Sequence, residues 1–178
     1  MKVVLVNYGA GNIKSLQFAL ERLGVDGILS SDVSEIQDAD KIIFPGVGEA
    51  SSAMMKLKQS RLDLVIPKLK QPVLGICLGM QLMCTHTEEG NTPGLGIFDV
   101  AVKRFDNDLK VPQMGWNTLE KTASPLFNTL DSETYMYTVH SYYAGICKET
   151  IAQTTYGISY MILILEENFV TILEQTLE

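Results

Sequence analysis

Cys77 stands midway between two glycines in Gly75-Ile76-Cys77-Leu78-Gly79-Met80-Gln81, directly after the apolar run Pro72-Val73-Leu74. A short buried strand, a sharp turn carrying a nucleophile and the first turns of a helix make up a nucleophile elbow, here with cysteine in the serine position. Such a turn needs small neighbours, because the strained backbone packs closely against the adjoining strand and helix. It also sets the sulfur at a helix N-terminus, where unpaired amides and the helix dipole favour a thiolate. The competing reading is a core cysteine among apolar residues. The chemistry implied by the elbow is nucleophilic catalysis, with Cys77 as the catalytic residue.

An attack that develops an oxyanion needs donors for it. The amide of Leu78 follows the nucleophile immediately. A second donor can come from Pro45-Gly46-Val47-Gly48, whose glycines let an amide turn towards developing charge; taken alone, that stretch is an ordinary turn before a helix. Gln81 lies one helical turn beyond Cys77 on the same face, where its side-chain amide suits a substrate amino acid, or it is a polar residue on a part-exposed helix. Glu88-Glu89-Gly90 can pair with an ammonium group or be a solvated acidic pair. His140, in Tyr137-Thr138-Val139-His140-Ser141-Tyr142-Tyr143, is either a base for the cysteine or a hydrogen-bonded structural residue. His86 reads as a surface residue, and no acidic residue follows either histidine to orient it. Gly9-Ala10-Gly11-Asn12 opens a helix, but Lys14 stands where a dinucleotide fingerprint needs a third glycine, so a tight turn capped by Asn12 is preferred.

The elements that must position these groups alternate in the first half of the chain. Val3–Asn7 is an apolar run expected of a strand buried on both faces. Apolar residues recur at helical spacing over Asn12–Leu23 and stop at Gly24. Gly27–Ser30 and Lys41–Phe44 read as strands, Glu49–Lys58 and Leu62–Leu69 as helices. This alternation predicts an α/β fold with a doubly wound, mostly parallel sheet. Ligands of such sheets lie beyond the carboxyl ends of the strands, which is where Asn7–Asn12, Pro45–Gly48 and Cys77 fall. After Gly90 the pattern turns to short β runs (Phe98–Phe105, Gly115–Leu119, Thr134–His140, Tyr160–Leu165, Asn168–Ile172), expected as added antiparallel strands. Ile158–Glu178, taken whole, resembles neither a good helix nor a good edge strand.

The chain has 178 residues, 46% of them hydrophobic and 20% charged, with a net charge of −7. Its length suits one domain spanning 1–178. The negative charge argues against nucleic acid or an anionic membrane surface as partner. Three dispersed cysteines and two histidines exclude a zinc cluster by spacing and suggest reduced thiols. With no signal-peptide pattern, and a longest apolar run of only Met161 to Leu165, a cytoplasmic protein without metal or cofactor is expected.

Taken together, Asn7-Tyr8-Gly9-Ala10-Gly11-Asn12-Ile13, Pro45-Gly46-Val47-Gly48, Gly75 to Gln81, Pro93-Gly94-Leu95-Gly96, Met114-Gly115-Trp116-Asn117 and Val139-His140-Ser141-Tyr142 resemble the glutaminase subunits of imidazole glycerol phosphate synthase, a branch of the class I, triad-type glutamine amidotransferases. The resemblance runs in order from Met1 to about Tyr156. It implies a flavodoxin-like fold in which Cys77 attacks the side-chain amide of glutamine, with Gly48 and Leu78 as oxyanion donors. Gly46, Val47, Gln81, Glu89, His140, Ser141 and Tyr142 would hold the glutamine. A (βα)8-barrel cyclase would receive the ammonia and make imidazole glycerol phosphate and AICAR. Asn12, Gln113, Met114, Gly115, Trp116 and Asn117 would face that partner; Gln113 stands where the family usually has histidine.

The family completes its triad with a His-Pro-Glu motif, followed by a further helix. An ungapped extension from Asn168-Phe169-Val170 puts Gln175, Thr176 and Leu177 at that motif, and no histidine follows His140. The expectation is severely reduced glutaminase activity, several kcal/mol of transition-state stabilisation being lost with the base. Two accounts compete: an altered or shortened C-terminal segment on an ordinary subunit, which the irregular stretch after Ile158 favours, or a paralogue kept as a scaffold. An ammonia supplier to a sugar-modifying synthase is a third reading.

Overall fold

The computed structural model describes residues 1–121, 135–166 and 169–172. In chain order the elements are β1 Val3–Val6, α1 Ile13–Arg22, β2 Gly27–Ser30, α2 Val33–Gln37, β3 Lys41–Phe44, α3 Ala50–Gln59, α4 Leu62–Val65, β4 Val73–Ile76, α5 Leu78–Met83, β5 Cys84–Thr87, β6 Thr92–Pro93, β7 Phe98–Arg104, β8 Gln113–Thr118, β9 Glu120–Lys121, β10 Tyr135–His140, β11 Tyr142–Ala144, β12 Thr150–Tyr156, β13 Ile158–Glu166 and β14 Phe169–Ile172.

Among the described residues the main sheet has eight strands in the order β2-β1-β3-β4-β14-β13-β12-β9. The first five are mutually parallel, and the last three continue it antiparallel. All four residues of β1 are buried, as a run apolar on both faces requires. Its alternate residues feed two cores. Val4 and Val6 join Ile42, Phe44, Leu57 and Met80 on one face. Val3 and Leu5 join Ile43 on the other, beneath Ile13, Leu16 and Leu20 of α1.

Several elements differ from the sequence reading for local reasons. Asn12 caps α1 as expected, accepting from the Ser15 amide. The α2 turn was not anticipated, although Asp32 accepts from the Glu35 amide at 2.9 Å and the Asp32-to-Glu35 spacing is that of a capping box. The helix over Leu62–Leu69 stops at Val65 and continues as a 3-10 turn, because Pro67 has no N–H to carry the α ladder on.

Ile158–Glu166 contains the Tyr160–Leu165 run expected as a strand, and it is no edge strand. It is an interior strand between β12 and β14, and Tyr160, Met161 and Ile162 are fully buried. An interior strand covered on both faces has no reason to alternate. β14 then lies parallel to β4, with Thr171 opposite Gly75 and Ile172 opposite Ile76. The chain therefore leaves β14 at the sheet end where β4 delivers Cys77.

Smaller sheets flank that end. β11, β7, β5 and β6 form one, and β8 pairs with β10 in the other. The antiparallel β8–β10 register sets His140 opposite Gln113 and Tyr137 opposite Trp116.

Candidate functional site

Cys77 has φ 52° and ψ −113°, a backbone state that L-residues hold only under constraint and that costs about 1–3 kcal/mol. The constraint comes from its glycines. A Cβ on Gly75 would stand 2.8 Å from the sulfur of Met83 and 3.2 Å from the Met80 amide, and one on Gly79 would overlap the carbonyl oxygen of Phe44. The close approach of β3, β4 and α5 that produces the elbow is possible only without those side chains. Cys77 is half-buried, and a cavity of about 150 Å³ opens onto it, lined by Val47, Gly48, Cys77, Leu78, Gln81, Glu89, Val139, His140, Ser141 and Tyr142.

Three chain segments far apart in sequence meet there. Gly48, with φ +108°, ends the loop after β3 in a conformation suited to glycine. Next to it, Glu49 caps α3, accepting from the Ser51 and Ser52 amides at 3.0 and 2.9 Å. These hydrogen bonds, the one from Ser52 foremost, hold its carboxyl down at about 2. The loop is thereby pinned at its far end. Gly46 does not line the cavity; it is packed so closely that a Cβ would stand 2.7 Å from the Gly79 amide.

The Gln81 side chain is buried. Its Nε2 donates to Thr87 Oγ1 and to Glu89 Oε2, both at 2.8 Å. With the NH2 group committed, the carbonyl oxygen is the part of the amide left to accept from a bound group. Glu89 also accepts from the Ala50 amide at 3.2 Å. Its half-buried carboxyl is shifted up by desolvation, partly offset by Gln81. Thr87 escaped the sequence reading because the chain changes from helix to strand at Cys84, so no single periodicity links positions 81 and 87. Val139, part of the Val139-to-Tyr142 motif, also lines the cavity, but an apolar strand residue gives no sign of a role in the site.

His140 lies in the cavity wall but not as a base. Nδ1 sits 2.9 Å from the Tyr142 carbonyl oxygen and Nε2 3.0 Å from the Tyr160 hydroxyl. A carbonyl only accepts, so Nδ1 carries the hydrogen and Nε2 receives one from the phenol. Burial pushes the imidazole down to about 4, with the Tyr142 carbonyl opposing weakly. It is neutral with both nitrogens engaged, the arrangement of a hydrogen-bonded structural residue. His86 lies on β5, 2.9 Å from Asn91 Oδ1. Gln175, Thr176 and Leu177 lie outside the described residues.

Of the residues expected to face a partner, Met114 and Trp116 are 59% and 70% exposed, and Asn12 is exposed. Gln113 is a correction. It is buried, its amide donates to Asn117 at 3.2 Å, and its carbonyl accepts from Thr138 at 2.6 Å. It supports β8 from inside, since an inward position in a strand carries the opposite face from Met114 and Trp116. Asn117 and Gly115 are half-buried.

The family model for glutamine amidotransferase class-I matches residues 4–170. The chain belongs to the class-I glutamine amidotransferases. Within that family it is 51% identical over 172 residues to the imidazole glycerol phosphate synthase subunit HisH of Bacteroides thetaiotaomicron, covering 95% of this chain and 88% of the relative. It is 43% identical, with the same coverage, to the subunit of that name from Pectobacterium atrosepticum, and it falls within that HisH branch. Among solved structures, a chain of the PurLQS structure from Thermotoga maritima superposes with a TM-score of 0.72 at 16% identity, covering 98% of this chain and 88% of its own. That likeness speaks to the fold, and it agrees with a class-I amidotransferase sheet carrying antiparallel additions. Among the described residues no group of His, Cys, Asp and Glu is placed to hold a metal ion. No helix among them is long and apolar enough to cross a membrane.

Proposed function

We propose that this chain, as one amidotransferase domain over 1–178, is the glutaminase subunit of an imidazole glycerol phosphate synthase, with Cys77 as its nucleophile. The observation that carries the assignment is the strained elbow of Cys77 opening into a cavity whose wall holds the Gln81–Glu89 pair, in a chain of this family. The Cys77 thiolate adds to the side-chain carbonyl carbon of glutamine. A C–S bond forms, and the π pair moves onto the oxygen, received by the amides of Gly48 and Leu78. The amide nitrogen takes up a proton, the oxyanion collapses as the C–N bond breaks and ammonia leaves, and water then hydrolyses the thioester to glutamate and the free thiol. Gln81, Glu89, Ser141 and Tyr142 hold the amino acid; Glu89 balances its ammonium group. Among the described residues neither imidazole is set to move the protons; a positioned base is usually worth about 10²–10⁴ in rate.

The ammonia passes to a (βα)8-barrel cyclase in a cytoplasmic heterodimer, a lyase assembly that makes imidazole glycerol phosphate and AICAR in histidine biosynthesis. The exposed Met114 and Trp116, with Asn12, face that partner. The test is ammonia release from glutamine by this chain mixed with such a cyclase. Turnover that disappears in Cys77→Ala supports the assignment. Tight complex formation with no turnover above the Cys77→Ala level makes the chain a scaffold instead.

A further inference from the structure

Tyr8 follows β1 and is buried, its ring 5.3 Å from that of Phe44, the last residue of β3. Its hydroxyl donates to the Pro45 carbonyl oxygen at 2.7 Å. That oxygen belongs to the peptide plane shared with Gly46, so anchoring it sets the direction from which the chain enters Gly46-Val47-Gly48. The loop is held from the other side as well, because Gly46 lies against the Gly79 amide and the Leu78 side chain as tightly as against the Tyr8 hydroxyl. The phenol thus wedges the loop against the helix that starts at the nucleophile. It also senses the sulfur: burial first, then the nearby Cys77, raise the phenol above its ordinary range, so it remains a protonated donor at working pH.

We infer that Tyr8 is a positioning residue, whose hydrogen bond to the Pro45 carbonyl holds the 45–48 loop where the Gly48 amide meets the oxyanion. This rests on the proposed roles of Cys77 and Gly48. A phenol fits the task better than a smaller donor: its ring is fixed by Phe44, and so its oxygen is a fixed point. The effect is confined to the tetrahedral state, because ground-state glutamine places no full charge in the hole.

The test compares two ligands in the complex with the barrel cyclase: glutamine, and glutamate γ-semialdehyde. The semialdehyde takes the Cys77 thiolate at its carbonyl carbon, forming a C–S bond and moving the π pair onto the oxygen. Calorimetry gives both affinities for the unmodified chain, for Tyr8→Phe and for Ile36→Val, a core lesion on α2. Removing a direct oxyanion donor typically costs 10²–10³ in rate; losing only its support is expected to weaken the semialdehyde about tenfold. Glutamine affinity should stay within about twofold, and kcat should fall with the semialdehyde while KM does not. Ile36→Val lowers the melting temperature without moving the ratio of the two affinities.

A Tyr8→Phe ratio within twofold of the unmodified chain overturns the inference. Equal loss of both ligands marks a purely structural role and overturns it too. An unmodified chain that binds the semialdehyde no tighter than glutamine removes the nucleophile reading, and this inference with it.

Discussion

The side-chain amide of Gln81 reaches the carboxylate of Glu89 at 2.8 Å, joining α5 to the turn after β5 directly beneath the nucleophile. The same carboxylate oxygen accepts from Ala50 at the head of α3. One acidic side chain therefore ties together the helix behind Cys77 and the helix behind Gly48.

Replacing that carboxylate should act on substrate binding before chemistry. Glu89→Ala leaves Gln81 without its partner and the ammonium group of glutamine without its counter-charge. KM for glutamine should rise at least about tenfold, with a smaller change in kcat, as expected for interactions made equally in ground and transition states. Steady-state kinetics in the presence of the cyclase measure this split.

The two glycines of the elbow should tolerate alanine unequally. At position 79 the new methyl meets the backbone carbonyl of Phe44; at position 75 its nearest neighbour is the flexible Met83 thioether. Gly79→Ala should cost about 3 kcal/mol or prevent folding, and Gly75→Ala about 1 kcal/mol, the span usual for overpacking. Urea unfolding of both variants gives the comparison, and equal costs would contradict this packing.

Acid should destabilise the fold through His140. Its folded value of about 4 lies below the unfolded value of about 6.5, so the unfolded chain binds the extra proton. This contribution is complete above about pH 6.5 and is lost as the pH falls to about 4, amounting to about 3 kcal/mol. Unfolding free energies measured at pH 7 and pH 4.5 should differ far less in His140→Gln, which cannot titrate, even if that variant is weaker at both.

The three thiols should separate by reactivity. Cys84 is buried, and desolvation raises it to about 12. Cys147 is half-buried and shifted up by desolvation, which the Thr150 hydroxyl partly opposes. Iodoacetamide at pH 7.5 should therefore mark Cys77 first, Cys147 slowly and Cys84 only on unfolding. Peptide mapping that found Cys84 marked first would contradict the elbow geometry.

Trp116 and Met114 should carry partner affinity without carrying stability. Trp116 stands edge-on to Tyr137 with ring centroids 5.4 Å apart, which presents a rigid aromatic face to solvent. Trp116→Ala should weaken binding to the barrel cyclase at least about tenfold, the loss typical of a central aromatic anchor, with an unchanged melting temperature. Titration calorimetry and thermal unfolding together read both quantities.

Much of this was written along the chain because it depends on neighbours in sequence. Gly75-Ile76-Cys77-Leu78-Gly79 specifies a turn by steric exclusion, and steric exclusion within five residues needs no tertiary partner to be read. The run Val3 to Val6 and the cap at Asn12 are likewise local, so β1 to β4 followed from strand–helix alternation, whereas β14, expected among the added antiparallel strands, pairs parallel with β4.

What only folding decided is which distant groups share a cavity and in what state. Whether His140 was base or buttress depended on Tyr160, twenty residues away, and on the loss of water around the ring. Gln113 resembled a surface position until the β8–β10 register turned it inward onto Thr138. Tyr160 to Leu165 read as a β run, but only pairing with β12 and β14 made it part of an interior strand, Ile158–Glu166. Local sequence dictates backbone turns through excluded volume acting over a few bonds; protonation, burial and facing direction are set by neighbours that long-range strand pairing brings in.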